Sequence, residues 1–160
     1  MDDGAQKSDE TVAWGLGLEA SMDINNIITI RAGLTHGDGV GGYMGRPLEA
    51  AYVDNNGEVE LITATSYTVG ASVKVGPGKM NAAYSQSSAE DMDKNPNYIG
   101  EGTISAPGED EKYQNFWLNY IWSPANKVSF GIEVSRHSRE TVGGFDGDAT
   151  RIQAMAKYSF

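Results

Sequence analysis

The chain has 160 residues, of which 22 are Asp or Glu, 12 are Lys or Arg, none is Cys and 39% are apolar. This length fits one domain, and the composition excludes a disordered acidic tail and a disulfide-stapled module. The acidic excess argues against nucleic acid as a partner, because a phosphate-binding surface needs clustered basic side chains. No run of about 18 apolar residues occurs, so the sequence predicts no transmembrane helix.

The first part of the chain predicts a flexible start followed by a long hairpin. Residues 1–10 are polar and acidic, which is typical of a loop or flexible segment. From Val12 to Ile24, apolar residues alternate with small or polar ones, the pattern of a strand with two different faces. The same alternation over residues 28–35 follows a turn-like Asp-Ile-Asn-Asn sequence.

A long loop and a second hairpin come next. Residues 36–60 lose the alternation and are rich in Gly and acid, which predicts a loop. The alternation returns over residues 61–75, and Gly76-Pro77-Gly78 predicts a tight turn. Residues 80–87 are predicted to form the returning strand.

The last part repeats this arrangement. Residues 89–111 predict a second long acidic loop, in which Pro96 and Pro107 exclude a central strand. Alternation over 115–122, a turn at Ser123-Pro-Ala-Asn126 and alternation over 128–135 predict a third hairpin. Residues 140–148 predict a third Gly/Asp-rich loop before a closing strand over 149–160 that ends in Phe160.

The connections between these seven strands alternate between short and long. Of the 22 acidic residues, 19 lie in the N-terminal segment and the three long loops. Outer-membrane barrels have short periplasmic turns and long external loops, so this pattern favours that class. The predicted fold class is therefore all-β, an antiparallel up-and-down transmembrane β-barrel.

Strand length and aromatic placement support a membrane barrel over a soluble β-sandwich or a lipocalin-like barrel, which show the same alternation. The predicted strands are longer than the usual 5–6 residues or so of soluble strands and fit the roughly 9–11 tilted residues that cross a bilayer. Aromatic residues gather toward both predicted strand ends, as at membrane interfaces. They are Tyr120, Trp122, Phe130, Tyr158 and Phe160 at the short-turn end, and Trp14, Tyr67 and Tyr84 at the other.

The face opposite the apolar one carries the candidate functional residues. We predict that six charged side chains line a pore: Arg31, Lys74, Arg151, Lys157, Glu19 and Glu133. Cations outnumber carboxylates in this set, which favours passage of small anions. The alternative is that these charges are simply solvated or paired with one another.

Seven antiparallel strands cannot close on themselves, because the first and last run in the same direction and bacterial barrels are even-numbered. An open sheet with unpaired edges is not stable in lipid. We therefore expect the chain to be the C-terminal portion of a larger barrel, with residues 1–160 forming one porin region. The alternative is a small eight-stranded barrel with a structural or surface-binding role, in which residues 44–64 or 89–111 supply a further strand.

Four segments carry a resemblance to a known family. They are residues 37–41 (GDGVG), 55–62 (NNGEVELI), 116–133 and 144–160. Their content and order are similar to the C-terminal half of DcaP-like trimeric porins of Gram-negative outer membranes. The resemblance implies a sixteen-stranded barrel, assembled as a homotrimer among outer-membrane lipid and lipopolysaccharide, that passes small solutes including dicarboxylates.

No motif predicts catalysis, a metal or a cofactor. Gly37-Asp-Gly39-Val-Gly-Gly42 matches G-x-G-x-x-G but is not followed by a predicted helix, so the dinucleotide interpretation fails. His36 and His137 lack metal-ligand spacing, and Asp146-Gly-Asp148 lacks the ligand series of an EF-hand. The prediction is a non-enzymatic outer-membrane porin.

Overall fold

The structure, a computed structural model, describes residues 9–44, 48–90, 92–95, 99–100, 103–104 and 109–160. The predicted flexible segment 1–10 lies outside these residues except for its last two positions. Pro96 and Pro107, on which the prediction of the second long loop partly depended, also lie outside them.

Seven long strands and four short ones are present in the described chain. They are β1 Trp14–Ile24, β2 Ile28–Asp38, β3 Ala51–Val53, β4 Val59–Leu61, β5 Thr63–Val75, β6 Gly78–Ala89, β7 Ile99–Gly100, β8 Thr103–Ile104, β9 Asp110–Ala125, β10 Val128–Thr141 and β11 Asp146–Tyr158. The long strands form one antiparallel sheet in the order β1-β2-β5-β6-β9-β10-β11. The prediction of seven long up-and-down strands is confirmed.

The three predicted short turns are present, with one shifted in position. Asn25 and Asn26 both have a φ of 52°, a backbone conformation that Asn tolerates better than most residues. The third turn consists of Asn126 and Lys127 rather than residues 123–126, because β9 continues through Pro124 to Ala125. Proline is tolerated there at the end of a strand, where the pairing register also shifts.

The prediction of a third long loop is wrong. β10 extends to Thr141 and β11 begins at Asp146, which leaves a connection of residues 142–145. The backbone N–H of Thr141 donates to the carbonyl of Phe145 at 2.9 Å, and Gly144 has a φ of 73°. The Gly and Asp content of this segment resembles a loop, but its residues pair across the two strands, with Glu140 opposite Asp146.

The other two predicted loops contain short elements and do not add a strand to the main sheet. Within the described residues, β3 pairs with β4 and β7 pairs with β8, each as a separate two-stranded sheet. The extra strand that an eight-stranded barrel would draw from residues 44–64 or 89–111 is therefore not found there. β1 and β11 each have one strand neighbour in the described chain, and they run in the same direction.

The two faces of the sheet differ in chemistry. Directly paired residues across all seven strands give one row of entirely polar side chains, Asp23, Thr29, Ser72, Asn81, Asn119, Glu133 and Gln153. The adjacent row is entirely apolar: Met22, Ile30, Ala71, Ala82, Leu118, Val134 and Ile152. Because side chains alternate along a strand, these rows define a polar face and an apolar face.

The apolar face is exposed. Leu16 is 58%, Val69 47% and Ile132 53% solvent-accessible, so these side chains do not meet in a sealed centre. The buried hydrophobic residues lie elsewhere, near the ends of the strands that lead into the two long loops. The described residues therefore pack no protein core against the apolar face, as expected of a lipid-facing wall.

The apolar band crosses the strands obliquely. Leu16 on β1 is level in the pairing register with Asp146 on β11, yet the last aliphatic residue of the band on β11 is Ile152, six residues further along. Six residues span about 20 Å and six interstrand steps span about 29 Å, which corresponds to strands tilted by about 35° from the normal to the band. This value agrees with the roughly 35–45° tilt of strands in outer-membrane barrels.

Candidate functional site

A cationic cluster occupies the polar face near the short-turn end. Lys74 on β5 and Lys79 on β6 are direct cross-strand partners, and Arg31 on β2 lines the same cleft of about 320 Å³. Among the charged residues that line this cleft, Asp23 is the one carboxylate, and it accepts a hydrogen bond of 2.6 Å from Thr29. The cluster, named here the Arg31/Lys74/Lys79 cluster, therefore holds three cations and one anion.

The direct opposition of two lysines is unfavourable for the sheet itself. Like charges directly across antiparallel strands are destabilising by up to about 1 kcal/mol. Within the described residues, none of these three cations forms a salt bridge with a carboxylate. Their charges are therefore available to a solute at this face.

Lys79 was missed in the sequence prediction. It lies one alternation period before Asn81 and so belongs to the polar face, but the predicted return strand began at residue 80. The observed strand begins at Gly78. The alternation itself would have revealed Lys79 if it had been extended back to the turn.

Arg151 and Glu133 form a second, neutralised cluster. Nη2 of Arg151 lies 3.5 Å from Oε1 of Glu133, which also accepts a hydrogen bond of 3.0 Å from Gln153. Asn119 donates to the other carboxylate oxygen at 3.1 Å, and Asn81 donates to Asn119 at 2.6 Å. This network extends over four strands and compensates the charge of Arg151, as the alternative interpretation of mutually paired charges predicted.

The two remaining predicted residues also lie on the polar face. Glu19 on β1 is paired with Gly33 and shares a cleft of about 660 Å³ with Arg31. Lys157 on β11 is paired with Ser129 near the short-turn end, away from the other cations. All six predicted side chains are thus on one face, but they divide into separate groups.

The long loops fold over the polar face at its opposite end, which the sequence analysis did not predict. Buried apolar loop side chains form what we call the loop cluster: Val40, Met44, Leu48, Ile62, Met92 and Val142. They pack against Ala64, Ala89 and Tyr113, whose side chains belong to the polar face. Large apolar residues inside otherwise acidic loops were the available sequence signal.

Backbone contacts fix this loop cluster to the sheet. The N–H of Gly39 donates to the carbonyl of Ile62 at 3.0 Å. The N–H of Ile62 in turn donates to the carbonyl of Ala50 at 2.9 Å. A Cβ on Gly41 would collide with the carbonyl oxygens of Leu48 and Glu49, so the close return of the loop requires glycine there.

Comparison with known proteins identifies the family. The family model described as Gram-negative porin matches residues 2–160. The chain belongs to the Gram-negative porins. Its location is the bacterial outer membrane.

A solved structure supports the same fold. The crystal structure of the outer membrane channel DcaP of Acinetobacter baumannii is similar with a TM-score of 0.75 and 21% sequence identity, over 92% of this chain and 41% of the DcaP chain. The porin chain thus spans less than half the length of that channel. No curated protein sequence shows significant similarity to the present chain.

Aromatic side chains of this porin cluster where the apolar band meets water. At the short-turn end, Trp122 stacks on Tyr120 with ring centroids 5.5 Å apart and contacts Phe130 at 5.8 Å. Toward the long-loop end, the rings of Tyr67 and Tyr84 are 6.0 Å apart. Two aromatic belts with an aliphatic middle are typical of membrane-spanning walls.

The two histidines occupy opposite faces of the porin. His36 is on the apolar face and bonds Thr65 at 2.8 Å, whereas His137 is on the polar face and bonds Asn115 at 2.8 Å and Ser135 at 3.0 Å. The described ranges contain no group of three His, Asp or Glu residues that could hold a metal ion. In the same ranges, no helix has the length and apolar character needed to cross a membrane.

Proposed function

We propose that the complete porin is a passive diffusion channel for small hydrophilic solutes with a preference for anions. The polar face is the wall of a water-filled lumen, lined by Arg31, Lys74, Arg151, Lys157, Glu19 and Glu133, together with Lys79. The single observation that supports a preference for anions is the Arg31/Lys74/Lys79 cluster, in which three cations and one carboxylate line the same cleft. Rings or clusters of basic side chains favour anions in pores.

Dicarboxylates are the anion class that fits this cluster best. Adjacent strands are about 4.8 Å apart, so cations on three neighbouring strands span about 10 Å. Two carboxylates of one small solute can therefore interact with different cations at the same time, as a monocarboxylate cannot. Lysine presents a flexible point charge, which suits transient contact rather than tight binding.

We further propose that this chain is the C-terminal portion of a sixteen-stranded barrel that assembles as a homotrimer. Both long edge strands, β1 and β11, have unused backbone hydrogen-bonding groups on one side in the described chain. In lipid such groups must be paired, so additional strands closing the barrel are required. The loop cluster then narrows the external mouth of the lumen, because it covers the polar face at the long-loop end.

Reversal potentials in planar bilayers under a salt gradient test the anion preference. The variant with Arg31→Gln, Lys74→Gln and Lys79→Gln is expected to lower the anion-to-cation permeability ratio of the complete channel. Arg136→Gln is the matched control, since Arg136 is a cation of the same sheet on the apolar face. An unchanged ratio in the triple variant would refute the assignment.

Solute flux into liposomes tests the dicarboxylate preference separately. Succinate is expected to enter faster than a neutral solute of similar size, and the difference is expected to shrink in the triple variant. A channel that shows no defined open conductance at all would instead favour a barrel with a structural or surface-binding role.

A further inference from the structure

His137 is a partly exposed side chain on the polar face of β10. It lies opposite Asn115 on β9 and Ala149 on β11, and it lines an open cleft of about 280 Å³. Tyr113, which packs against the loop cluster, lines the same cleft. An ion that passes along the polar face near the long-loop end therefore comes close to the imidazole.

Two hydrogen bonds fix the orientation of this imidazole. Nδ1 of His137 lies 2.8 Å from Oδ1 of Asn115, and Nδ2 of Asn115 donates to Oγ of Ser85 at 3.3 Å. Because an amide oxygen can only accept a hydrogen bond, Nδ1 of His137 carries a hydrogen. Nε2 of His137 lies 3.0 Å from Oγ of Ser135.

The same two contacts fit both protonation states of His137. A hydroxyl group can donate or accept, so Ser135 donates to Nε2 of the neutral imidazole and accepts from Nε2–H of the imidazolium. Ser135 is 1% exposed and keeps its place beneath the ring. Gain of a proton at Nε2 therefore requires only that the hydroxyl hydrogen of Ser135 turns away. Because His137 is partly exposed, water can solvate the added charge.

The charged groups around His137 cancel one another. Within the described residues, each charged side chain that adjoins the imidazole or lines its cleft belongs to an ion pair: Arg139 with Asp110 at 3.4 Å, Arg151 with Glu133 at 3.5 Å and, from the apolar face, Arg136 with Asp148 at 3.4 Å. Tyr113 donates to Asp110 and is an uncharged phenol below about pH 10. Histidine is the side chain that ordinarily changes its charge between about pH 5 and 8, so it can alter the net charge of this part of the wall.

We propose that His137 is a specificity-determining residue of the channel, whose protonation adds one positive charge to the lumen wall and raises the preference for anions as the pH falls. The proposal rests on the proposed function, because the polar face must line the conduction path for this charge to act on a passing ion.

Reversal potentials of the complete channel under a salt gradient, at low ionic strength and at about pH 8 and about pH 5.5, test the proposal. Carboxylates with ordinary pKa values near 4 stay ionised over this range. The anion-to-cation permeability ratio is expected to rise by about eightfold in acid, the effect of one unit charge about 7 Å from the ion.

Two substitutions of His137 represent its two charge states. His137→Gln keeps a polar, uncharged side chain, so the permeability ratio is expected to stay at its alkaline value at both pH values. His137→Lys is charged at both, so the ratio is expected to stay at its acid value. A merely structural role would instead change both variants in the same direction.

The other histidine of the chain supplies a matched control, His36→Gln. His36 contacts Trp14 with ring centroids 5.9 Å apart at 74°, which matches the 5.8 Å and 77° between His137 and Trp117. It lies on the apolar face, where it bonds Thr65 at 2.8 Å. Its substitution is therefore expected to leave the full response to pH.

A pH response that persists in His137→Gln, that is lost in His36→Gln or that the unchanged channel lacks would overturn the proposal. If the triple variant of the Arg31/Lys74/Lys79 cluster lowers the permeability ratio while His137→Gln keeps the pH response, the role of His137 is refuted and the channel function stands. If neither set of variants changes the ratio, the proposed function fails as well.

Discussion

Glu133→Gln is expected to make the porin more selective for anions, because it removes the carboxylate that neutralises Arg151. In the structure, Glu133 contacts Arg151 at 3.5 Å and accepts hydrogen bonds of 3.1 Å from Asn119 and 3.0 Å from Gln153. A glutamine has nearly the same shape and keeps one acceptor oxygen, so the packing is preserved while one negative charge is lost.

The size of the effect follows from the freed charge of Arg151. One unit charge acts on a monovalent ion passing about 7 Å away with about 0.6 kcal/mol at the dielectric constant of water. Because the same charge attracts an anion and repels a cation, the permeability ratio is expected to shift by about eightfold toward anions at low salt. The Debye length falls from about 30 Å at 0.01 M to about 3 Å at 1 M salt, so the shift is expected to vanish at high salt.

Reversal potentials measured at low and high salt with the complete channel provide the assay. Glu140→Gln is the control, since Glu140 forms an ion pair of 3.5 Å with Lys112 but on the apolar face. An unchanged ratio for Glu133→Gln, or an equal shift for both variants, would show that the polar face does not line the conduction path. Loss of the ion pair itself is expected to lower stability by no more than about 1 kcal/mol.

Three further outcomes concern the loop cluster and its hairpin. Ile62→Ala is expected to lower the free energy of unfolding of the loop cluster by about 2–5 kcal/mol, because Ile62 is 2% exposed within the cluster. The lower stability is measured as faster proteolysis of the long loops, and Ile132→Ala on the exposed apolar face is expected to leave cleavage unchanged. Gly41→Ala is expected to displace the loop and change single-channel conductance, and an unaltered conductance would show that the loop does not narrow the mouth. Hydrogen bonds from the backbone of Glu58 and from Asn56 lower the pKa of Asp54 below its ordinary value of 3.8. The hairpin formed by β3 and β4 is therefore expected to keep this stabilisation above pH 3.8 and to lose it as the pH falls through the lowered pKa of Asp54. The loss is measured as faster amide exchange at Glu58, after correction for the intrinsic exchange rate. Exchange at Glu58 that does not change with acid would contradict this expectation.

The sheet and its faces were predictable because they depend on local alternation. A shift of one residue would place Arg31 among lipid chains if it occurred in β2, and Lys74 if it occurred in β5, so the sequence specifies the register strongly. Strand ends were less predictable, since charged residues such as Glu140 and Asp146 can pair across strands above the membrane as well as form a loop. The resemblance to DcaP-like porins agreed with the family that the whole chain matches.

The period-two pattern of the sequence by itself determined that this protein forms an antiparallel sheet with one apolar and one polar face, because the face of each residue is fixed by its own position along a strand. Only the tertiary structure decided which charged side chains of the polar face contact one another. Lys74 and Lys79 become neighbours through a two-residue turn, Arg151 and Glu133 through pairing of β10 with β11, and the loop cluster through contacts between loops distant in sequence. Such encounters depend on where each turn and strand end falls and on packing between distant segments, which the alternation alone does not specify.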